Sequence, residues 1–210
     1  MKIWGAETAR SFRPIWVAEE MGLTYEHLAI QPRTGETQTE AYTALNRKQK
    51  IPFLEDGDLK LSESVAICRY LIEAYDGGPF WVPRSLAERT RQDEWCSYIY
   101  GEIDETSLYV MRRHRDLRAI YGGNDEVVDS AAAYLQRHLI FLEKHLQHHE
   151  YIEEQGFGVC DVLLVSCLDW AAHYGIEIPP HVDLYRERIA HRDGYLRAMA
   201  INYKELMGAA

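Results

Sequence analysis

One segment of the chain, residues 45–71, constrains the possible fold more than any other; its sequence is LNRKQKIPFLEDGDLKLSESVAICRYL. An apolar stretch beginning at Pro52 leads into Asp56-Gly57, a dipeptide typical of tight hairpin turns. A second apolar stretch meets a helical pattern at Ser64, and serine is a favoured helix N-cap. The segment therefore predicts a β-hairpin that leads directly into a helix.

The rest of the chain falls into two parts with different periodicities. The first part predicts, in order, a strand (2–4), a helix (11–21), a strand (26–30), a short helix (36–45), two hairpin strands (53–55 and 59–61) and a closing helix (65–75). Glycines and prolines punctuate residues 77–83, and only helical periods follow. Among them is one long helix through residues 95–113 and a nearly all-apolar helix, 162–172, which we expect to be buried.

Composition excludes several classes of protein. The chain has 210 residues, of which 47% are hydrophobic, and this is enough to form a sizeable core. Its net charge of −10 and scattered basic residues argue against nucleic acid as a partner. No apolar run approaches the roughly 20 residues that span a bilayer, and the first residues lack a secretory pattern. We therefore expect a cytoplasmic protein with no membrane partner.

Neither the cysteines nor the histidines predict a metal site. The four cysteines show no C-x-x-C spacing and stand in apolar helical contexts, so we expect free structural thiols. Four histidines recur along one amphipathic helix at positions 138, 145, 148 and 149. Without a carboxylate-lined cavity they indicate a solvated helix face rather than a set of metal ligands.

The segment 45–71 resembles the glutathione site of cytosolic glutathione transferases, whose pattern is N-P-x-x-K-[VI]-P-x-L-x-D-G-D-x-x-L-x-E-S-x-A-I. The matching residues are Asn46, Lys50, Ile51, Pro52, Leu54, Asp56, Gly57, Asp58, Leu61, Glu63, Ser64, Ala66 and Ile67. Theta-type and bacterial theta-like members are similar over most of the chain. The resemblance implies a thioredoxin-like α/β domain (β-α-β-α-β-β-α) at 1–77, a linker at 78–86, an all-helical domain with the electrophile pocket at 87–210, and a homodimer.

The resemblance also implies how glutathione would be bound. A cis bond before Pro52 would free the backbone of Ile51 to pair with the cysteinyl part of glutathione, whereas a trans proline would simply begin an edge strand. Ser64, at a helix start, would take the γ-glutamyl carboxylate, unless it is only a cap. The remaining implied contacts are those of Glu63 with the γ-glutamyl amine, Lys50 with the glycyl carboxylate, and the polar pair Thr37 and Gln38.

Catalysis would need a donor that lowers the pKa of the glutathione thiol, about 8.5 when unperturbed. Theta-type members place a serine where this chain has Ala9, and other relatives use a hydroxyl or thiol at the position of Thr8. We therefore predict Thr8 as the donor, helped by the N–H groups of Ala9 and Arg10, with Ser11 as the alternative. Thr8 would otherwise be only an N-cap.

The expected function is attack of a bound glutathione thiolate on a small hydrophobic electrophile, with glutathione as co-substrate and no metal. The first loop contains no cysteine, which argues against a mixed-disulfide mechanism. Two alternatives stay open at this stage. One is a glutathione-dependent disulfide reductase, as in threonine-based relatives, and the other is a noncatalytic binding protein on the same fold, which Ala9 makes plausible.

Overall fold

A computed structural model describes residues 1–204 and divides the chain into two compact units. The first consists of Met1–Val82 and the chain from Ala190 onward, and the second of Pro83–Ile189. The first unit contains β1 (Lys2–Trp4), α1 (Ala9–Glu20), β2 (Glu26–Leu28), a 3-10 helix (Glu36–Gln38), α2 (Glu40–Leu45), β3 (Phe53–Asp56), β4 (Leu59–Ser62), α3 (Ser64–Ala74) and, after the second unit, α10 (Asp193–Asn202).

A four-stranded mixed sheet organises the first unit, in the order β2-β1-β3-β4. β1 pairs in parallel with β2, with Ile3 opposite His27, and antiparallel with β3, with Trp4 opposite Phe53. β3 and β4 form the predicted hairpin about the turn at Gly57, where φ is +57°. The observed order of strands and helices is β-α-β-α-β-β-α, as predicted.

The core of the first unit lies where α1 and α3 cover the sheet. Phe12, Ile15 and Trp16 of α1 are fully or almost fully buried, as are Ile67 and Leu71 of α3. Leu54, on the central strand β3, is also fully buried. The spacing of these residues along each helix places them on one face, which is the periodicity seen in the sequence.

The C-terminal helix α10 packs on α1, within the first unit. The ring of Tyr195 lies edge-on against Phe12 and Trp16, with centroid separations of 5.3 and 5.0 Å. Arg192 donates to the carboxylate of Glu20 on α1 at 2.8 Å. The sequence-based division assigns residues 87–210 to one helical domain, whereas these contacts group α10 with the sheet.

The second unit is helical: α4 (Leu86–Tyr98), a π-helix (Ile99–Tyr109), α5 (Val110–His114), α6 (Arg118–Tyr121), α7 (Asp125–Leu146), α8 (Val159–His173) and α9 (Pro180–Ala190). α8 is buried along most of its length, as its all-apolar pattern predicts. The predicted long helix through 95–113 has a π-helical interior, where the Ser107 hydroxyl donates to the carbonyl of Glu102 at 2.7 Å. Within residues 1–204 no helix combines the length and apolar character needed to cross a membrane.

Candidate functional site

The loop before β3 is held in place at the carbonyl of Lys50. The phenol of Tyr42 donates to this oxygen at 2.7 Å, and the amide nitrogen of Asn46 donates to it at 2.9 Å. Burial raises the pKa of Tyr42, so its phenol keeps the proton that it donates. The Ile51-Pro52 peptide bond is cis. The side chain of Lys50 is exposed and makes no hydrogen bond or ion pair with the rest of the described chain.

Gly5 brings the loop after β1 against Ile51. A Cβ atom at Gly5 would lie 2.8 Å from the Cβ of Ile51 and 3.2 Å from the Cβ of Ser11, and φ at Gly5 is +119°. Glycine alone adopts such a conformation without steric cost and leaves room for the approach. The absent side chain therefore lets the loop that carries Thr8 lie beside the Ile51-Pro52 segment.

Ser64, the first residue of α3, receives a hydrogen bond from a buried cation. The Nη1 atom of Arg13 donates to the Ser64 hydroxyl oxygen at 3.2 Å, and both residues are at most 2% exposed. A helix N-terminus offers unpaired N–H groups and the positive end of the helix dipole. Arg13 adds a full positive charge behind that point, so the start of α3 suits a carboxylate.

Glu63, the residue before α3, is held by an ion pair rather than by a helix cap. Its Oε1 atom lies 2.9 Å from the Nζ atom of Lys48, and both side chains are about half exposed. Glu63 makes no capping hydrogen bond through its side chain to α3. The carboxylate therefore stands at the surface beside Ser64, with Lys48 as its partner.

Several residues with a strained backbone lie directly before residues of the predicted site. Within residues 1–204, five residues other than glycine have a positive φ, and three of them are Glu7, Gln49 and Glu63, at +59°, +54° and +76°. Each directly precedes a predicted site residue: Thr8, Lys50 and Ser64. Such conformations cost about 1–3 kcal/mol each and cluster at ligand sites, where the surrounding structure holds them. The pattern makes these three loops candidates for a ligand site.

Thr8 and Ser11 form a reciprocal capping box at the start of α1. The Ser11 N–H donates to Thr8 Oγ1 at 3.0 Å, and the Thr8 N–H donates to Ser11 Oγ at 3.2 Å. The two hydroxyl oxygens lie 2.8 Å apart. Thr8 is 8% exposed and Ser11 is 0% exposed, so only Thr8 reaches the surface of the loop.

Asn202, from α10, completes this cluster. Its Oδ1 atom accepts from the Ser11 hydroxyl at 2.9 Å, its Nδ2 atom donates to the Thr8 carbonyl at 3.2 Å, and its carbonyl accepts from the Glu7 N–H at 3.0 Å. An amide oxygen can only accept, and leaving it unpaired when buried costs about 1–3 kcal/mol. The Ser11 hydroxyl can also reach the Thr8 carbonyl, at 3.0 Å, but its single proton is best placed on Asn202 Oδ1. Thr8 is then the donor in the Thr8–Ser11 contact, and its hydroxyl can redirect that hydrogen bond to a ligand.

The other predicted site residues occupy less organised positions. Gln38 lies on the 3-10 helix with an exposed side chain that makes no hydrogen bond to the described residues, whereas the neighbouring Thr37 is buried. All four cysteines are free and buried, and Cys96 and Cys160 lie 3.6 Å apart at their sulfur atoms. Within residues 1–204 no cluster of three His, Cys, Asp or Glu side chains could hold a metal.

Sequence reasoning missed three residues of this site: Arg13, Lys48 and Asn202. Their roles depend on partners 51, 15 and 191 positions away in the chain, at Ser64, Glu63 and Ser11. For Arg13 the sequence offers one signal: it is a basic residue among the apolar residues of α1. Nothing local distinguishes the other two.

A family model, "Glutathione S-transferase, N-terminal domain", matches residues 1–73. The chain is 26% identical to glutathione S-transferase theta-3 of Mus musculus over 178 residues, which cover 82% of this chain and 74% of the relative. It is 24% identical to glutathione S-transferase theta-1 of Homo sapiens over 179 residues, with the same two coverages.

Solved structures agree with the sequence relatives. The theta class glutathione S-transferase of Xanthomonas axonopodis pv. citri, solved with glutathione bound, matches with a TM-score of 0.80 at 28% identity, covering 94% of this chain and 95% of that one. A beta class glutathione S-transferase of Sphingomonas chungbukensis matches with a TM-score of 0.79 at 25% identity, covering 96% and 98%. Residues 1–73 therefore match the N-terminal domain of glutathione S-transferases, and the chain is similar over most of its length to theta-type members.

Proposed function

We propose that this protein is a glutathione transferase, in which a bound glutathione thiolate attacks a small hydrophobic electrophile. The observation that carries the proposal is that contacts link the three strained loops, at Glu7, Gln49 and Glu63. Gly5 lies against Ile51, Lys48 pairs with Glu63, and Arg13 donates to Ser64 at the start of α3. A peptide with two carboxylates, one amine and one thiol is the ligand that these groups match.

In the proposed complex the γ-glutamyl end of glutathione binds at the start of α3. Its carboxylate accepts from the Ser64 N–H and hydroxyl, and the positive charge of Arg13 lies behind them. Its amine faces the carboxylate of Glu63. Both contacts are charge-assisted, and each is stronger than an ordinary neutral hydrogen bond.

The remainder of glutathione follows the loop before β3. The cysteinyl backbone pairs with the N–H and C=O groups of Ile51, next to Pro52. The ammonium of Lys50, which has no partner among residues 1–204, takes the glycyl carboxylate, and Gln38 on the 3-10 helix supplies a further polar contact. The cysteinyl sulfur then lies toward the loop of Thr8, which Gly5 keeps close to Ile51.

Thr8 stabilises the thiolate by donating a hydrogen bond from its hydroxyl to the sulfur, while the thiol proton leaves to solvent. The Ser11 hydroxyl stays hydrogen-bonded to Asn202, so redirecting the Thr8 hydrogen bond to the ligand leaves no buried group unpaired. The N–H groups of Ala9 and Arg10 stand at the positive end of α1 and favour the anion further. The thiolate then forms a carbon–sulfur bond with the electrophile. A leaving group departs with its electron pair, or a proton is added when the reaction is an addition.

The protein environment supports conjugation rather than thiol exchange with a protein cysteine. Burial raises the pKa of Cys160 well above its usual value, and all four cysteines are at most 4% exposed. A buried neutral thiol is a poor nucleophile.

By analogy with its relatives we further propose that the protein works as a cytoplasmic homodimer. A measurement of molar mass in solution would test the dimer.

Calorimetry with glutathione tests the binding site, with Ser64→Ala as the variant. Loss of a charge-assisted hydrogen bond is expected to weaken binding by roughly 1.5–3 kcal/mol. Lys60→Met, on exposed strand β4, is the control and keeps wild-type affinity. Wild-type protein that gives no heat at millimolar glutathione would refute glutathione binding.

An activity assay tests the reaction. A halogenated nitrobenzene should be consumed together with glutathione by the wild-type protein. Turnover of a mixed disulfide without conjugation would identify a reductase. Tight glutathione binding with neither activity would identify a binding protein.

A further inference from the structure

The ion pair between Lys48 and Glu63 occupies the carboxylate to which the ligand amine is assigned. The Nζ atom of Lys48 lies 2.9 Å from Glu63 Oε1. Lys48 is the one partner that the described chain provides for the Glu63 side chain, and the second carboxylate oxygen has none. An ammonium group of the protein thus stands where an ammonium group of glutathione would bind.

Lys48 projects from a turn that is fixed on both sides. Its N–H donates to Asn46 Oδ1 at 3.1 Å. The next residue, Gln49, has a φ of +54°, and its side-chain nitrogen donates to the Thr43 hydroxyl at 3.0 Å. The same turn continues to Lys50. The position of Lys48 beside Glu63 is therefore built into the loop that forms the rest of the site.

Two ammonium groups at one carboxylate oppose each other whichever way the conflict is resolved. If Lys48 stays, the two positive charges repel across a few ångströms of solvated surface. If Lys48 leaves, the favourable ion pair between Lys48 and Glu63 is lost. Whether Lys48 stays or leaves, the ligand amine binds more weakly, and by a similar factor in the two cases. Binding of the ligand's two carboxylates is not changed by this competition.

We propose that Lys48 is an internal competitor for the amine-binding carboxylate, and that it sets how strongly the site selects glutathione over an analogue without the γ-glutamyl amino group. The inference rests on the proposed function, because it takes glutathione as the ligand. Lys48 also attracts any anionic ligand through its charge. That attraction acts equally on glutathione and on the deamino analogue, so the ratio of their affinities isolates the competition.

The test measures dissociation constants of glutathione and of deamino-glutathione (glutaryl-cysteinyl-glycine) by calorimetry. Lys48→Met is expected to raise the preference for glutathione roughly two- to fivefold, the size expected for loss of an exposed ion pair. Lys60→Met removes the same charge from exposed strand β4 and should leave the ratio unchanged. In Glu63→Gln the ratio should fall toward one, and adding Lys48→Met to it should raise the ratio by less than Lys48→Met does alone.

An unchanged or lower ratio in Lys48→Met, with wild-type protein that binds glutathione, would overturn the role of Lys48 alone. Wild-type protein that binds neither ligand would overturn both this inference and the proposed function. A rise of the same size in the Glu63→Gln background would also overturn the inference, because the effect of Lys48 would then not act through Glu63.

Discussion

Replacing Gly5 by alanine tests whether close approach of two loops builds the site. The added Cβ would lie 2.8 Å from Ile51 Cβ, an atom next to the backbone that cannot rotate away. Overpacking of this kind costs about 1–3 kcal/mol. The φ of +119° adds strain of about 1–3 kcal/mol for an L-residue. The free energy of unfolding should therefore fall by roughly 2–6 kcal/mol.

Gly22→Ala provides the matched control. Gly22 has a φ of +62°, and a Cβ there would meet nothing within 4 Å. This variant should lose only the left-handed backbone cost, about 1–2 kcal/mol. The difference between the two losses of unfolding free energy measures two effects at position 5: the steric contact with Ile51 and the less accessible φ of Gly5.

Urea unfolding gives the stabilities, and calorimetry gives the glutathione affinities. If the loops separate, Ile51 loses its alignment with the ligand backbone, and loss of about one hydrogen bond lowers affinity by roughly tenfold. Gly22→Ala should bind glutathione as the wild-type protein does. The reasoning is refuted if Gly5→Ala matches Gly22→Ala in both stability and affinity.

Two further predictions concern buried groups of the second unit and the cysteines. Burial raises the pKa of Asp161 from 3.8 to about 6, so between these pH values the folded protein binds more protons than the unfolded chain. Its stability should therefore fall by up to about 3 kcal/mol as pH rises from about 4 to 6. Urea unfolding of Asp161→Asn should lack this pH-dependent component, and an identical pH dependence in both proteins would contradict the assignment. Alkylation of the native protein with iodoacetamide should leave conjugation intact because all four cysteines are buried, and loss of activity on modification of a single cysteine would show a thiol in the mechanism.

The elements that the sequence predicts well are those with local causes. The hairpin at Asp56-Gly57 and the start of α3 depend on neighbouring residues. The hairpin lies where the sequence predicts it, and α3 begins at Ser64, with Glu63 rather than the predicted Ser64 at the N-cap position. The burial of α8 follows from its apolar composition. The residues that determine such elements lie within a few positions of each other, so a single sequence is sufficient to predict them.

The features that the sequence does not predict have distant causes. The packing of α10 on α1 joins Tyr195 to Phe12 and Trp16, and no periodicity indicates which layer a terminal helix will join. Asn202 could not be predicted for the same reason: its amide oxygen accepts the hydrogen bond of the Ser11 hydroxyl, and the two residues are 191 positions apart in the chain. The π-helical stretch at Ile99–Tyr109 likewise carries no composition that separates it from an ordinary helix.

The most direct test of the account is the pKa of the glutathione thiol in the complex, read from the ultraviolet absorbance of the thiolate as pH is varied. The bound thiol is expected to titrate below about 8.5, its ordinary value. Thr8→Ala should raise the bound pKa by about one unit, the equivalent of one lost hydrogen bond, whereas Thr8→Ser and Ser11→Ala should leave it unchanged. A wild-type complex whose thiol titrates as free glutathione does would contradict thiol activation by this protein, and a shift in Ser11→Ala instead of Thr8→Ala would move the donor to Ser11.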